Sequence, residues 1–157
     1  DRRIIVEEGL KMREIECAVL GNDDPSASLP GEYIIKDKAK AFLDYQEKYS
    51  ATGNNEFVVP APVSAELASK IQQMAIAAFK AIDGSGLARV DFFLRSDTGS
   101  LLINEINTMP GLTEASGYPK MWAGTGLAFR DVLDQLIELA EQRFDDRARN
   151  QTSRVAD

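Results

Sequence analysis

Histidine is absent from this 157-residue chain, and cysteine occurs once. Without His the usual zinc ligand sets are missing, and so is any Ser-His or Cys-His dyad supplied by this chain. A single Cys excludes an internal disulfide and predicts a reducing compartment. Basic residues are outnumbered, 18 Lys and Arg against 25 Asp and Glu, for a net charge of −7. Such a balance argues against a nucleic-acid partner, because neutralising phosphates needs clustered Lys and Arg. No apolar run approaches the roughly 20 residues of a membrane span, so no membrane partner is expected. The charged opening "DRR" does not read as a signal peptide. An initiator Met is also missing, and "RIIVEEGL" is already patterned as a strand. The chain therefore reads as the later part of something longer, the alternative being a complete domain with trimmed ends.

What is present suffices for one compact domain, since 44% of the residues are hydrophobic. "IIVEEG" and "REIECAVLG" read as two short strands separated by "LKM". In the second, Ile15, Cys17 and Val19 share one face, and Glu14, Glu16 and Ala18 share the other. Cys17 is accordingly a small core residue and not a nucleophile. "NDDPSASLPG" is a loop by composition, and "GEYIIK" is a third strand. Residues 37–57 read as a long loop with room for one helical turn, and long loops of this kind often act as lids. Residues 64–82 give the clearest helix, capped by Ser64. Leu67, Ile71, Met74, Ala75, Ala78, Phe79 and Ile82 form its apolar stripe. "GLARVDFFL" and "SLLINEIN" are late strands, and a second helix over roughly 127–143 carries Val132, Leu133, Leu136, Ile137 and Ala140. From Asp145 the chain is polar and predicts a frayed tail. No internal repeat is visible.

The two late strands are joined by "RSDTGS". A three-residue turn Asp97-Thr98-Gly99, with Gly in the left-handed position, sets the register. It places Asp91 opposite Glu105 and Arg89 opposite Asn107. Arg89, Asp91 and Phe93 then share a face with Glu105 and Asn107. Directly opposed carboxylates repel, so something must offset them. A shared proton is one solution. A divalent cation is another, and two carboxylates with an amide oxygen are hard ligands suited to Mg²⁺. A solvated face without metal fits the pattern as well. The "NTMPG" turn that follows exposes backbone N–H groups able to stabilise an oxyanion, or is an ordinary strand-to-helix connection.

"VEEGLKMREIECAVLG", "EKY", "GLARVDFF", "NEINTMPGLT" and "YPKMW" occur in that order. Together they resemble the C-terminal part of D-alanine–D-alanine ligases, members of the ATP-grasp enzymes. The resemblance runs from about Ile4 to Ala140. It implies an α+β fold, a mainly antiparallel sheet with flanking helices, over residues 1–144, with residues 145–157 as a polar tail. It also implies a cytoplasmic enzyme, homodimeric at full length, that joins two D-alanines with ATP through an acyl phosphate for peptidoglycan precursors. Mg²⁺ is the implied cation, with Mn²⁺ able to substitute. By motif, Asp91, Glu105 and Asn107 resemble the metal ligands. Arg89 and the Gly111 N–H resemble the oxyanion hole. Ser116 and Gly117 match the positions that hold the second D-alanine's carboxylate. Glu7, Glu8 and Leu10 fall where a hinge meets adenine, Glu14 where ribose is held, and Phe93 would pack on the adenine. Lys48 and Tyr49 match residues of a mobile loop over the site. Leu43, Glu114 and Gly117 stand where other residues are more usual. The family's N-terminal domain and small central lobe are not in this chain, which implies that it is inactive alone. A D-alanine–D-lactate ligase and a non-catalytic nucleotide-binding module are the alternatives. Tyr49 favours the dipeptide product, and Arg89 favours catalysis.

Overall fold

The computed structural model describes residues 2–35 and 55–149. Lys48 and Tyr49, Leu43 and most of the expected loop lie outside the described residues, as does the polar end from 150 onward. The elements run β1 (Met12–Gly21), β2 (Ser26–Ala27), β3 (Gly31–Ile35), β4 (Asn55–Val58), α1 (Ala65–Ala81), β5 (Gly86–Arg95), β6 (Leu101–Asn107), α2 (Gly117–Thr125) and α3 (Phe129–Ala148). The strands pair antiparallel in the order β4-β3-β1-β5-β6, with short β2 beside β1. None of the helices among the described residues is long and apolar enough to cross a membrane.

Strand alternation gives the sheet two different faces. Ile15, Cys17 and Val19 of β1 and Ala88, Val90, Phe92 and Leu94 of β5 point to one side. There they pack on Ile71, Ala75, Ala78 and Phe79 of α1. Burying the larger of these, such as Ile71, Phe79, Val90 and Phe92, contributes about 1.5–3 kcal/mol each. Ser64 caps α1, its Oγ accepting from Leu67 N at 3.2 Å. The helix ends one residue before Ile82, which is the C-cap and 48% exposed, so it drops out of the expected stripe. The other side is divided. Ala18 and Leu20 form a second core with Tyr118, Met121, Trp122 and Val132 of α2 and α3. Tyr118 locks α2 to the sheet, donating from its hydroxyl to Val19 O at 2.9 Å. The remainder of this second face is polar.

"IIVEEG" is not a strand: residues 2–11 pair with nothing regular among the described residues, and Ile4, Ile5 and Val6 are 79%, 85% and 90% exposed. Apolar, β-branched composition does not make a strand without a neighbour for its backbone groups. Residues 55–58 are strand and not loop, because Phe57 and Val58 pair with Tyr33 and Glu32. Helix α2 was not expected from the sequence: Gly117 and Pro119 are poor helix formers, yet both sit in the first helical turn, where Pro costs no internal hydrogen bond. Helix α3 runs on to Ala148, past the start of the expected frayed tail.

Cys17 is fully buried, and burial pushes its thiol up to about 12. The raised value means that the folded state holds its proton more tightly than the unfolded chain. The thiol therefore contributes stability at neutral pH that is lost as pH rises toward that value. At pH 8 under native conditions Cys17 will react with a thiol reagent at under ~1% of the rate in denaturant. Labelling at the free-cysteine rate without denaturant would contradict its placement.

Candidate active site

The polar part of the second face is built as successive rungs across β1, β5 and β6. Glu14 stands opposite Phe93. One rung on, Glu16 stands opposite Asp91, and Asp91 opposite Glu105. The next rung places Ala18 opposite Arg89, and Arg89 opposite Asn107. Rungs on one face are spaced roughly 6.5–7 Å along a strand. Arg89, Asp91, Glu105, Asn107, Glu14 and Phe93 thus converge on one strip of sheet, as their alternation predicts.

The register is the expected one at the site and differs near the turn. Arg95 N donates to Ser100 O at 2.9 Å, so the turn is Ser96–Gly99, one residue longer than expected. Gly99 has the positive φ of 70° that the turn requires. The pairs Leu94–Leu101, Phe93–Leu102 and Phe92–Ile103 follow, and then Asp91–Glu105, skipping Asn104. This bulge restores the register that places the two acids face to face.

The repulsion between those acids is offset from within the chain. Arg89 grips Asp91 with a two-pronged bond, Nε to Oδ1 and Nη2 to Oδ2, both at 2.7 Å. Charge-assisted forks of this kind are among the stronger protein hydrogen bonds. Arg89 and Asp91 are 9% and 7% exposed, whereas Glu105 is exposed. One carboxylate is held in place and the other can adjust. Asn107 closes the row, its Oδ1 accepting from Met109 N at 3.0 Å. That bond begins the turn toward Gly111 and fixes which way the amide oxygen faces.

Gly111 is exposed and close to Ser116: a Cβ there would meet Ser116 Oγ at 2.8 Å. Ser116 is the N-cap of α2, but its hydroxyl does not cap that helix. It lies instead 2.9 Å from Thr113 Oγ1 and accepts from Thr113 N at 3.3 Å. Gly117 is the first helical residue and is buried. A helix start whose N–H groups receive no bond from the cap side chain is suited to a carboxylate.

Glu7 and Glu8 are exposed and Leu10 is half-buried, all on the unpaired segment before β1. Glu8 reaches Arg95 at 3.4 Å. Two residues were missed by the sequence reading. Glu16 is 2% exposed, with Oε2 3.5 Å from Arg89 Nε. Phe57 fills the space where a side chain on Gly31 or Gly117 would stand, 2.3 Å and 3.2 Å from their ideal Cβ positions. Glu16 had a signal, since it alternates with Glu14 on the face of Arg89. Phe57 had none, lying inside an expected loop.

The family model "D-ala D-ala ligase C-terminus" matches residues 1–138. The D-alanine–D-alanine ligase of Ruminiclostridium cellulolyticum is 49% identical over 154 residues, covering 98% of this chain and 40% of that relative. Among solved structures, the D-alanine–D-alanine ligase from Coxiella burnetii superposes with a TM-score of 0.74 at 43% identity, over 90% of this chain and 35% of that one. The Bacillus anthracis D-alanine–D-alanine ligase complexed with ATP gives 0.71 at 27% identity, over 90% and 43%. An antiparallel sheet with helices on both faces and a polar strip at one end is here the C-terminal lobe of an ATP-grasp protein. The chain belongs to the D-alanine–D-alanine ligase C-terminal family. It spans about two fifths of the length of the curated relatives it matches.

Proposed function

We propose that this chain is the catalytic lobe of a ligase that joins two D-alanines at the expense of ATP. The observation that carries the reading is the pair of adjacent rungs, with Asp91 and Glu105 on one and Arg89 and Asn107 on the next. Asp91, Glu105 and Asn107 supply two carboxylates and an oriented amide oxygen, a donor set that fits Mg²⁺ (or Mn²⁺) bound together with phosphates. When bound, the cation would neutralise the charge of the nucleotide's phosphates. In this reading one D-alanine carboxylate oxygen attacks the γ-phosphorus and ADP leaves. The amine of the second D-alanine then attacks the acyl carbon, and phosphate departs with that oxygen.

The chain's own groups serve these steps by position. Arg89 and the Gly111 N–H face the oxyanion of the tetrahedral intermediate, where a preorganised donor is worth most. Ser116 and the Gly117 N–H hold the second substrate's carboxylate at the start of α2. Glu14 takes the ribose hydroxyls, Phe93 stacks on the base, and Glu7, Glu8 and Leu10 border the adenine. Lys48 and Tyr49 are assigned to the covering loop. The compartment is the cytoplasm, and the full-length enzyme is a homodimer.

Catalysis of this kind depends on holding two reactants together, an effect that can supply roughly 7–11 kcal/mol. One wall of a site cannot do so. Full-length enzyme should therefore convert D-alanine and ATP to D-alanyl-D-alanine and ADP, and prefer D-alanine to D-lactate as second substrate. The 157-residue chain alone should bind Mg²⁺-ATP weakly by calorimetry and make no dipeptide. Dipeptide from the purified chain, or exclusive use of D-lactate by the full-length enzyme, would contradict the assignment.

A further inference from the structure

Glu16 is the most enclosed acid on the polar face, 2% exposed and in register with Asp91. Burying a carboxylate is costly unless it is paired. Its neighbour is Arg89, whose Nε lies 3.5 Å from Glu16 Oε2 and 2.7 Å from Asp91 Oδ1. Nε thus faces two acids, Asp91 on its own strand and Glu16 on the adjacent one. Only one of them has a second task in the proposed function. A carboxylate that ligates a cation turns lone pairs toward it and weakens its grip on an arginine. Glu16 is kept out of that task by what covers it. The start of α2 passes directly over it: a Cβ on Gly117 would stand 3.0 Å from Oε2. Phe57 backs the same spot, 3.2 Å from that Cβ position. A bare backbone at Gly117 is what leaves room for the Glu16 carboxylate beside Arg89.

We propose that Glu16 is a positioning residue for Arg89. It keeps the guanidinium aimed and charge-compensated when the Asp91 carboxylate is engaged by the cation. The planar guanidinium has five donors in fixed directions, enough to keep Glu16 on one edge and present another edge to an oxyanion. The proposal rests on the roles given above to Arg89 and Asp91.

The test is a double-variant cycle in the full-length ligase, because Glu16→Gln keeps the shape and removes the charge. Glu16→Gln should lower kcat about tenfold while Mg²⁺-ATP affinity by calorimetry stays within about threefold. In an Arg89→Lys background the same change should cost less than about twofold, since the residue it acts through is gone. Glu16→Asp, which restores the charge on a shorter arm, should recover part of the loss. With ¹⁵N-labelled arginine, the Arg89 Nε–H resonance, identified by its loss in Arg89→Lys, should persist under saturating Mg²⁺-ATP in the parent and broaden away in Glu16→Gln. Unchanged kcat, an unchanged resonance, or a tenfold loss that persists beside Arg89→Lys would overturn the proposal. If Glu16→Gln does not fold by circular dichroism, Glu16→Asp enters the cycle and its loss must vanish in the same background. An Arg89→Lys variant with full kcat would instead remove the catalytic role of Arg89, and the proposal with it.

Discussion

Replacing Asp91 with Asn, or Glu105 with Gln, in the full-length ligase will abolish dipeptide synthesis and leave the fold standing. On the proposed function, the loss follows from removing one of two anionic donors for the cation. Cation stabilisation of a transferring phosphoryl group is worth several kcal/mol, and each ~1.4 kcal/mol is tenfold in rate. A fall of at least about 10³ in kcat is expected on that basis. The fold survives for a different reason at each position. Glu105 is exposed at the edge strand, and its loss relieves repulsion with Asp91. Asp91 is buried and holds Arg89, but Arg89 keeps a second carboxylate 3.5 Å away in Glu16. The unfolding midpoint should move by no more than a few degrees for Glu105→Gln and somewhat more for Asp91→Asn. Full activity in either variant at ordinary Mg²⁺ would remove these residues from the metal site.

On the role proposed for Arg89, Arg89→Lys should lower kcat by roughly 10²–10³, the usual cost of losing one donor aimed at a developing oxyanion. The charge is kept, so the loss isolates the geometry of the fork. Lys cannot grip both oxygens of Asp91 as Arg89 does at 2.7 Å and also face the substrate. ATP affinity should change far less than kcat, because the oxyanion appears only after the nucleotide is bound. An equal loss in both would assign Arg89 to nucleotide placement or to the fold.

The residues at the centre of the site were legible because two-residue alternation is strict. Once β5 and β6 were recognised as a hairpin, Asp91 had to share a face with Arg89, and Glu105 with Asn107. The predicted turn was one residue too short, yet the facing pairs came out right. The bulge at Asn104 cancels the longer turn, and a bulge leaves little trace in composition. Helix α1 was legible from its stripe and its Ser64 cap. Helix α2 was not, because Gly117 and Pro119 have turn chemistry and the helix is held by tertiary contacts such as Tyr118 to Val19. The unpaired segment before β1 shows the converse: Ile4, Ile5 and Val6 favour a strand, but strand pairing is decided by a neighbour that local sequence does not reveal. Glu16 was read only as one member of an alternating face. Its burial is set by the start of α2, about a hundred residues later in the chain, and no local pattern encodes that.

On the proposed function, this sheet face serves to activate a carboxylate by phosphorylation. That activation is tested most directly by following oxygen through the reaction of the full-length ligase with ATP, Mg²⁺ and D-alanine labelled with ¹⁸O in its carboxylate. If the carboxylate attacks the γ-phosphorus and phosphate then leaves from the acyl carbon, one labelled oxygen must be carried into inorganic phosphate for each dipeptide formed. That transfer is expected in the parent enzyme, and its disappearance together with turnover in Asp91→Asn. Dipeptide formed with unlabelled phosphate would contradict it.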